Sequence, residues 1–286
     1  MKIGIVSNPI KDRNFATAIR AAGIVRRLGA LPLVNADDAL SSIAVSTHMV
    51  KGDLRSCDLI LCLGGDGTFL SVVQSHHAQG IPIIGVNLGS LGFLAEIQPE
   101  ELEEGIGALV EGRYRIEDRM LLEATFLDGS DMVKATKIAL NDVVISRGGI
   151  SRILTTVLSI DGQPVERIPG DGVIVSSPTG STGYSLSAGG PIIQPDLVLM
   201  VVTPICPHTL HNRSYVVSAE SVVGIGILDY PFSPVVSIDG RPVTTMSSTD
   251  RILVRKAPNT MKLAKIAAVN FYEKLPNKIS ERGGVR

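Results

Sequence analysis

The sequence predicts an α/β domain with a mostly parallel sheet over residues 1–115. A largely β domain follows over residues 116–261, and residues 262–286 return to the first domain. Three observations carry this reading. Apolar runs and helix-period segments alternate through the first 115 residues, as in a sheet covered on both faces. From about Tyr114 the texture changes to short Val-, Ile- and Thr-rich runs separated by Asp-Gly pairs, the mark of antiparallel strands and tight turns. Beyond Lys262 the chain reads as partly helical to Leu275, with Phe271, Tyr272 and Leu275 as a packing group.

Taken in order, Lys2–Ser7 reads as the first strand and Leu31–Asn35 as the second. Between them, Ala16–Leu28 places Ile19, Ala22, Val25 and Leu28 at helical spacing. Asp58–Leu63 and Ile81–Val86 are further strands, joined by a helix over Phe69–Gln79. Pro99–Glu111 opens with proline and acids, as helix N-termini do. In the second half, Val143–Ile145 and Val173–Val175 read as strands, and Asp128-Gly129, Asp161-Gly162, Asp171-Gly172 and Asp239-Gly240 as turns.

Composition narrows the function. The 286 residues are 44 % hydrophobic, yet the longest apolar stretch, near Leu197–Val202, falls far below the ~18 residues of a membrane span. The N-terminus, MKIGIVSNPIKD, lacks the apolar core of a secretory signal. A net charge of −1 argues against bulk nucleic-acid binding, and the absence of Trp argues against stacking platforms for single strands. Neither nucleic acid nor a membrane is expected as a partner. Cys57, Cys62 and Cys206 have no C-x-x-C spacing, which points to a reducing, cytoplasmic setting. His208 and His211 lack a third ligand for zinc, and the prolines of Thr203–Arg213 read as a loop. His76 and His77 read as surface residues, so no protein metal cage is expected.

Chemistry concentrates in two segments. Leu59–Leu63 is an unbroken apolar strand that runs into Gly64, Gly65, Asp66, Gly67 and Thr68. The glycines let backbone N–H groups approach an anion, and the following helix, with Thr68 as its cap, favours negative charge at its N-terminus. Asp66 is the anomaly, since a carboxylate there repels a phosphate unless it holds a metal or takes a proton. That combination points to phosphoryl transfer. The second segment, Asp171–Pro191, runs from a strand into a loop of Ser, Thr and Gly. It is either a flexible linker or a polar ligand pocket, with Tyr184 as a stacking face for a base and Asp171 as an acceptor for ribose hydroxyls. Two further segments are weak alone: the glycine-rich Gly85–Phe93, and Asn141-Asp142 ahead of its β run. No Walker A or protein-kinase motif is present.

Taken together, GGDGT at Gly64–Thr68, NLGSLGFLAE at Asn87–Glu96, NDVVISRG at Asn141–Gly148, DGVIVSSPTGSTGYSLSAGGP at Asp171–Pro191 and TPICPHTLHNR at Thr203–Arg213 resemble the NAD kinase family. The resemblance covers nearly the whole chain. GGDGT is shared with lipid and sugar kinases, whereas SPTGSTGYSLSAGGP is similar to NAD kinases in particular. The resemblance implies an NAD kinase/diacylglycerol kinase-like fold and transfer of the ATP γ-phosphate to the 2′-hydroxyl of the adenosine ribose of NAD. It implies Mg²⁺ or another divalent metal with ATP, and a homo-oligomer, dimer or tetramer. Asp66 would be the catalytic base, with Gly64, Gly65, Gly67 and Thr68 around the phosphates. Asn141, Asp142, Arg152, Asp171 and Asp239 would bind nucleotide. Thr179, Thr182, Gly183, Tyr184, Ser185 and Ser187 would line the dinucleotide pocket. Gly183, Pro169, Arg241 and Gln74 depart from the residues common in the family. Two alternatives stay open at this point: a superfamily kinase acting on a lipid or sugar, and a non-catalytic NADP(H)-binding regulator.

Overall fold

The computed structural model describes residues 1–44, 46–76, 80–89, 92–149, 151–209, 212–266, 271–273 and 275–276. The chain divides into two compact units, Met1–Asp118 with Met261–Arg286, and Arg119–Thr260.

The first unit is a parallel sheet with helices. Its strands are β1 (Lys2–Ser7), β2 (Leu31–Asn35), β3 (Val50–Gly52), β4 (Leu59–Gly64), β5 (Ile83–Asn87) and β6 (Ala95–Ile97). They pair in the order β5-β4-β1-β2-β3, and β6 adds to β5, all in parallel. All six residues of β4 are buried, as its unbroken apolarity requires for a strand covered on both faces.

Helix α1 (Ala16–Arg27) buries Ala18, Ala21, Ala22, Ile24 and Val25. The expected stripe is therefore rotated: Ile19 and Leu28 are exposed, and small alanines take the core face. Asp12 caps this helix, accepting from Thr17 N at 2.8 Å and Ala18 N at 3.0 Å. Helix α2 covers Asp66–His76 and so begins three residues before the predicted Phe69. Thr68 therefore lies inside its first turn and is not the cap. Gln79, the expected end, lies outside the described residues, as do His77, Ser90, Leu91 and His211. A short 3₁₀ turn at Pro99–Glu101 leads into α3 (Leu102–Val110).

The expected helix from Lys262 is corrected in its first part. A strand continues to Lys265, with Leu263 paired in parallel with Ile83. Met261, Leu263 and Ala264 are buried, and the side chain of Lys265 is only 12 % exposed beside Glu96, itself 4 % exposed, at 3.2 Å. Helical structure appears at Phe271–Glu273, where the Phe271 and Tyr272 rings meet edge to face at 5.1 Å.

The second unit is β-rich. Its strands are β7 (Arg115–Leu127, entering at Arg119), β8 (Val133–Ala139), β9 (Asp142–Ser146), β10 (Leu154–Ile160), β11 (Gln163–Gly170), β12 (Gly172–Ser176), β13 (Leu199–Ile205), β14 (Tyr215–Ser218), β15 (Val223–Leu228), β16 (Val235–Ile238), β17 (Arg241–Thr245) and β18 (Arg251–Lys265, leaving at Thr260). One antiparallel sheet runs β14-β13-β12-β9-β16-β17. In another layer β11, β10, β15 and β18 pair antiparallel in that order, and β7 pairs with β8. Their shared core includes Leu122, Val143, Leu158, Val175, Val202 and Ile225.

Two Asp-Gly pairs make the expected hairpins. Asp161 and Gly162 have φ of 51° and 78°, and Asp239 and Gly240 have φ of 49° and 76°, as a two-residue hairpin turn with positive φ at both positions needs. Asp171-Gly172 does not. It carries the chain from β11 into β12, which pairs with β9 and β13 rather than with β11. Gly172 is required there because a side chain would overlap the carbonyl oxygen of Ile145. Thr203–Ile205, expected in a loop, forms the end of β13.

Candidate active site

The first unit gathers its polar groups where β4 and β5 end. Gly64 pairs with Asn87 across the two strands, and Leu88 N donates to Gly64 O at 3.0 Å. The chain then turns at Gly65, whose carbonyl accepts from Thr68 N and Phe69 N. No side chain fits at Gly64, because Thr68 fills that space.

Asp66 stands in the first turn of α2, where an acid complements the helix dipole. Its carboxylate also accepts from Phe93 N at 3.1 Å and Leu94 N at 3.2 Å. Gly92 lies so close to that carboxylate that a side chain there would overlap it. Gly85–Phe93, weak when read alone, thus converges with the GGDGT turn on one acid. Buried Asn87 shapes the second of them, its Oδ1 accepting from Gly89 N at 3.2 Å. Asn8 reaches across from the end of β1, its Nδ2 donating to Thr68 Oγ1 at 2.9 Å.

The second unit assembles its own constellation from segments about 100 residues apart. The Asp239 carboxylate, in the hairpin between β16 and β17, accepts from Leu140 N (3.0 Å), Asn141 N (2.7 Å) and Asp142 N (3.2 Å). Asp239 therefore fixes the backbone of the Asn141-Asp142 turn. Asp142 is buried beside it. Burial, with the nearby Asp239 carboxylate adding to it, pushes the Asp142 pKa up to about 7.

The Ser/Thr/Gly segment packs onto this turn. It is a buried turn and no flexible linker: Thr179–Thr182 forms a 3₁₀ helix with all four residues buried, followed by the short helix α4 (Tyr184–Ser187). Gly180 lies directly on Asn141, whose carbonyl a side chain would overlap. A side chain at Gly183 would stand 3.9 Å from both Asn141 Nδ2 and Asp142 Oδ2.

Many of the hydroxyls are structural. Ser177 Oγ donates to Leu140 O at 2.5 Å, and Ser181 Oγ donates to Pro178 O at 2.7 Å. Ser185 Oγ meets Thr203 Oγ1 at 3.0 Å. Thr179 Oγ1 differs, being buried with no hydrogen-bond partner among the described residues. Tyr184 is 46 % exposed. Its phenol pKa is raised by partial burial and then by Cys206, Asp171 and Asp142, which brings both acids into its surroundings. Asp171 accepts from Arg147 Nε at 2.7 Å.

The models of one family match along both units. Residues 3–114 match the model of the ATP-NAD kinase N-terminal domain, and residues 140–266 match that of the ATP-NAD kinase C-terminal domain. The chain belongs to the ATP-NAD kinase family. It is 36 % identical over 282 residues to the NAD kinase of Ruminiclostridium cellulolyticum, covering 98 % of each chain. It is 44 % identical over 223 residues to that of Natranaerobius thermophilus, 78 % of each chain. Among solved structures, an NAD kinase from Archaeoglobus fulgidus in complex with ATP superposes with a TM-score of 0.77 at 25 % identity, over 98 % of this chain and 99 % of that one. Yeast NADH kinase complexed with NADH shares the fold, with a TM-score of 0.89 at 23 % identity over 100 % and 89 % of the two chains.

Within this member of the family, Gly64, Gly65, Gly67 and Thr68 gather with Asp66 in the first unit. Asn141, Asp142, Asp239, Thr179, Gly183 and Tyr184 gather in the second. Thr182 is buried in the same turn, its Oγ1 donating to Thr179 O at 3.4 Å. Ser187 is exposed. Arg152 sits on an exposed segment before β10, tied in through its carbonyl, which accepts from Tyr230 OH at 3.2 Å. Two residues escaped the sequence reading. Arg147 follows the run of β9 and pairs with Asp171; its only sequence signal is a basic residue closing NDVVISRG. Lys11 has none beyond the Asn-Pro before it.

Proposed function

We infer that this chain transfers the γ-phosphoryl group of ATP to the 2′-hydroxyl of the adenosine ribose of NAD, forming NADP and ADP. The observation that carries the reading is the placement of Asp66. It is an acid in the first turn of a helix that follows a glycine turn, where a phosphate chain finds backbone N–H groups and the positive end of the helix dipole. The 2′-hydroxyl oxygen forms its bond to the γ-phosphorus as the bond to the β–γ bridging oxygen breaks. The hydroxyl proton passes to Asp66. A carboxylate oxygen that accepts one backbone N–H keeps a second lone pair, so the contacts to Phe93 and Leu94 orient Asp66 without using it up. Positioned base catalysis of this kind contributes about 10²–10⁴-fold.

Asn141 and Asp142 hold the ribose and base of NAD, Tyr184 offers a ring face, and Thr179 Oγ1 offers a buried polar atom that protein groups leave unsatisfied. Asp171 and Arg147 add a charge pair beside them. This hydroxyl- and amide-rich lining suits a nucleotide and not an acyl chain.

A divalent cation, Mg²⁺ by preference, would neutralise the crowded phosphates. Such a metal would arrive with the phosphates of ATP, as the family resemblance implies. No helix among the described residues is long and apolar enough to cross a membrane. Three free cysteines support a cytoplasmic enzyme. We also infer a homo-oligomer, on the family resemblance. The deciding experiment incubates the protein with NAD, ATP and Mg²⁺ and reads NADP with an NADP-specific dehydrogenase. Failure to form NADP, with label from ATP appearing on a lipid or hexose phosphate, would overturn the reading.

A further inference from the structure

Lys11 belongs to no motif. It sits in the loop between β1 and α1, and that loop is tied down at both ends. Asn8 accepts from Ile10 N at 2.9 Å and Lys11 N at 3.3 Å through Oδ1, and it donates to Thr68 with Nδ2. The Asn8 carbonyl accepts from Lys11 N and Asp12 N. Buried Asp12 then accepts from Ser7 Oγ at 2.7 Å while capping α1. The loop backbone is thereby registered against the GGDGT turn, which limits where the Lys11 side chain can go.

The Lys11 ammonium ends over the two glycine turns. A Cβ on Gly65 would lie 2.6 Å from Lys11 Nζ, and one on Gly89 would lie 2.8 Å from it. Both glycines thus leave room for an ammonium group. Among the described residues Lys11 makes no ion pair, and the Asp66 carboxylate is oriented by Phe93 N and Leu94 N. An unpaired cation held against bare backbone at a helix N-terminus is organised for an anion that arrives from outside.

We propose that Lys11 binds the terminal phosphates of the phosphoryl donor, bridging them to the Gly65 and Gly89 turns. The proposal rests on the kinase reading above and adds to it a residue that reading does not use. Its ammonium donates to the β- and γ-phosphate oxygens and offsets charge that grows on the leaving diphosphate. Asp66 remains the proton acceptor.

The test compares wild-type protein with Lys11→Met and Lys11→Arg. Equilibrium dialysis with Mg²⁺ measures the Kd of ATP, of inorganic tripolyphosphate and of AMP, and initial rates give KM for ATP and for NAD. Loss of one charge-assisted contact predicts a weakening for ATP and tripolyphosphate in Lys11→Met of about 10- to 100-fold. AMP affinity and KM for NAD should stay within about twofold, since neither presents a triphosphate. Lys11→Arg should recover much of the loss. Unchanged ATP and tripolyphosphate affinity in Lys11→Met would refute the proposal, as would an equal loss for AMP, which would mark a damaged fold. If the wild type binds ATP through Lys11 but makes no NADP, the proposed reaction fails and the phosphate contact stands. If NADP forms equally well in both variants at limiting ATP, the contact fails and the reaction stands.

Discussion

Replacing Asp142 by Asn should make the protein more stable and a poorer enzyme, and the stability gain should depend on pH in a defined direction. Asp142 is 4 % exposed, and burial beside Asp239 lifts its carboxyl from 3.8 to about 7. In the unfolded chain it titrates near 3.9. The folded state therefore holds a proton that the unfolded state has released. Below about pH 4 both states are protonated and burial costs nothing through ionisation. Above that, stability falls by about 1.4 kcal/mol per pH unit until the folded group ionises near 7, where the cost levels off at about 4 kcal/mol. Asn has the same shape, never ionises, and leaves the three backbone bonds to Asp239 in place. The stability advantage of Asp142→Asn should then widen by about 2–3 kcal/mol between pH 5 and pH 8. Urea titrations of both proteins across that range measure it. The variant should also show a raised KM for NAD, because Asn puts an NH2 donor where one carboxylate oxygen accepts from the ribose. A stability difference that stays constant with pH would refute the assignment of a buried, proton-holding Asp142.

Three further outcomes are expected. Asp66→Asn should lower kcat by at least about 100-fold, with the Kd for NAD changed little; near wild-type turnover would remove Asp66 from the base role. Gly180→Ala places a methyl group on the Asn141 carbonyl and should cost about 2 kcal/mol or more of stability, read by urea titration, while raising KM for NAD. Chelation by EDTA should stop NADP formation, and Mg²⁺ should restore it, because the phosphates require a hard cation; activity surviving metal stripping would contradict this.

Several elements were legible in the sequence because local chemistry decides them. β4 is a run of apolar residues ended by glycines, and only a buried strand accommodates that. The Asp161-Gly162 and Asp239-Gly240 hairpins follow from residues that tolerate positive φ. Misreadings arose where a residue answers to a distant partner. Gly172 looked like a turn glycine, yet what it needs is clearance from Ile145. The start of α2 was placed late because Gly67 and Asp66 read as loop, whereas Asp66 sits well in a first turn beside the helix dipole. Met261–Lys265 buries Met261, Leu263 and Ala264, which its Lys-rich composition hid. The site itself was only half legible. Asp66 stood out by type and Asn141-Asp142 only through the family resemblance, but nothing local announces that Asp239 holds a turn 97–99 residues away. Nor does anything announce that Asn8 aims a loop lysine at Gly65.

The strand at Met261–Lys265 has a consequence for biosynthesis. It completes a sheet whose other strands lie in the first 97 residues, and it seals that sheet with the buried Lys265–Glu96 pair. During translation the first unit must wait for the whole of Arg119–Thr260 to emerge. At about 5–20 residues per second that interval is on the order of ten seconds. Until then β5 has no Leu263 beside Ile83, and Glu96 has no Lys265 beside it. The nascent chain therefore leaves the Ile83 end of β5 uncovered, beyond the part that β6 pairs, until Leu263 has been made.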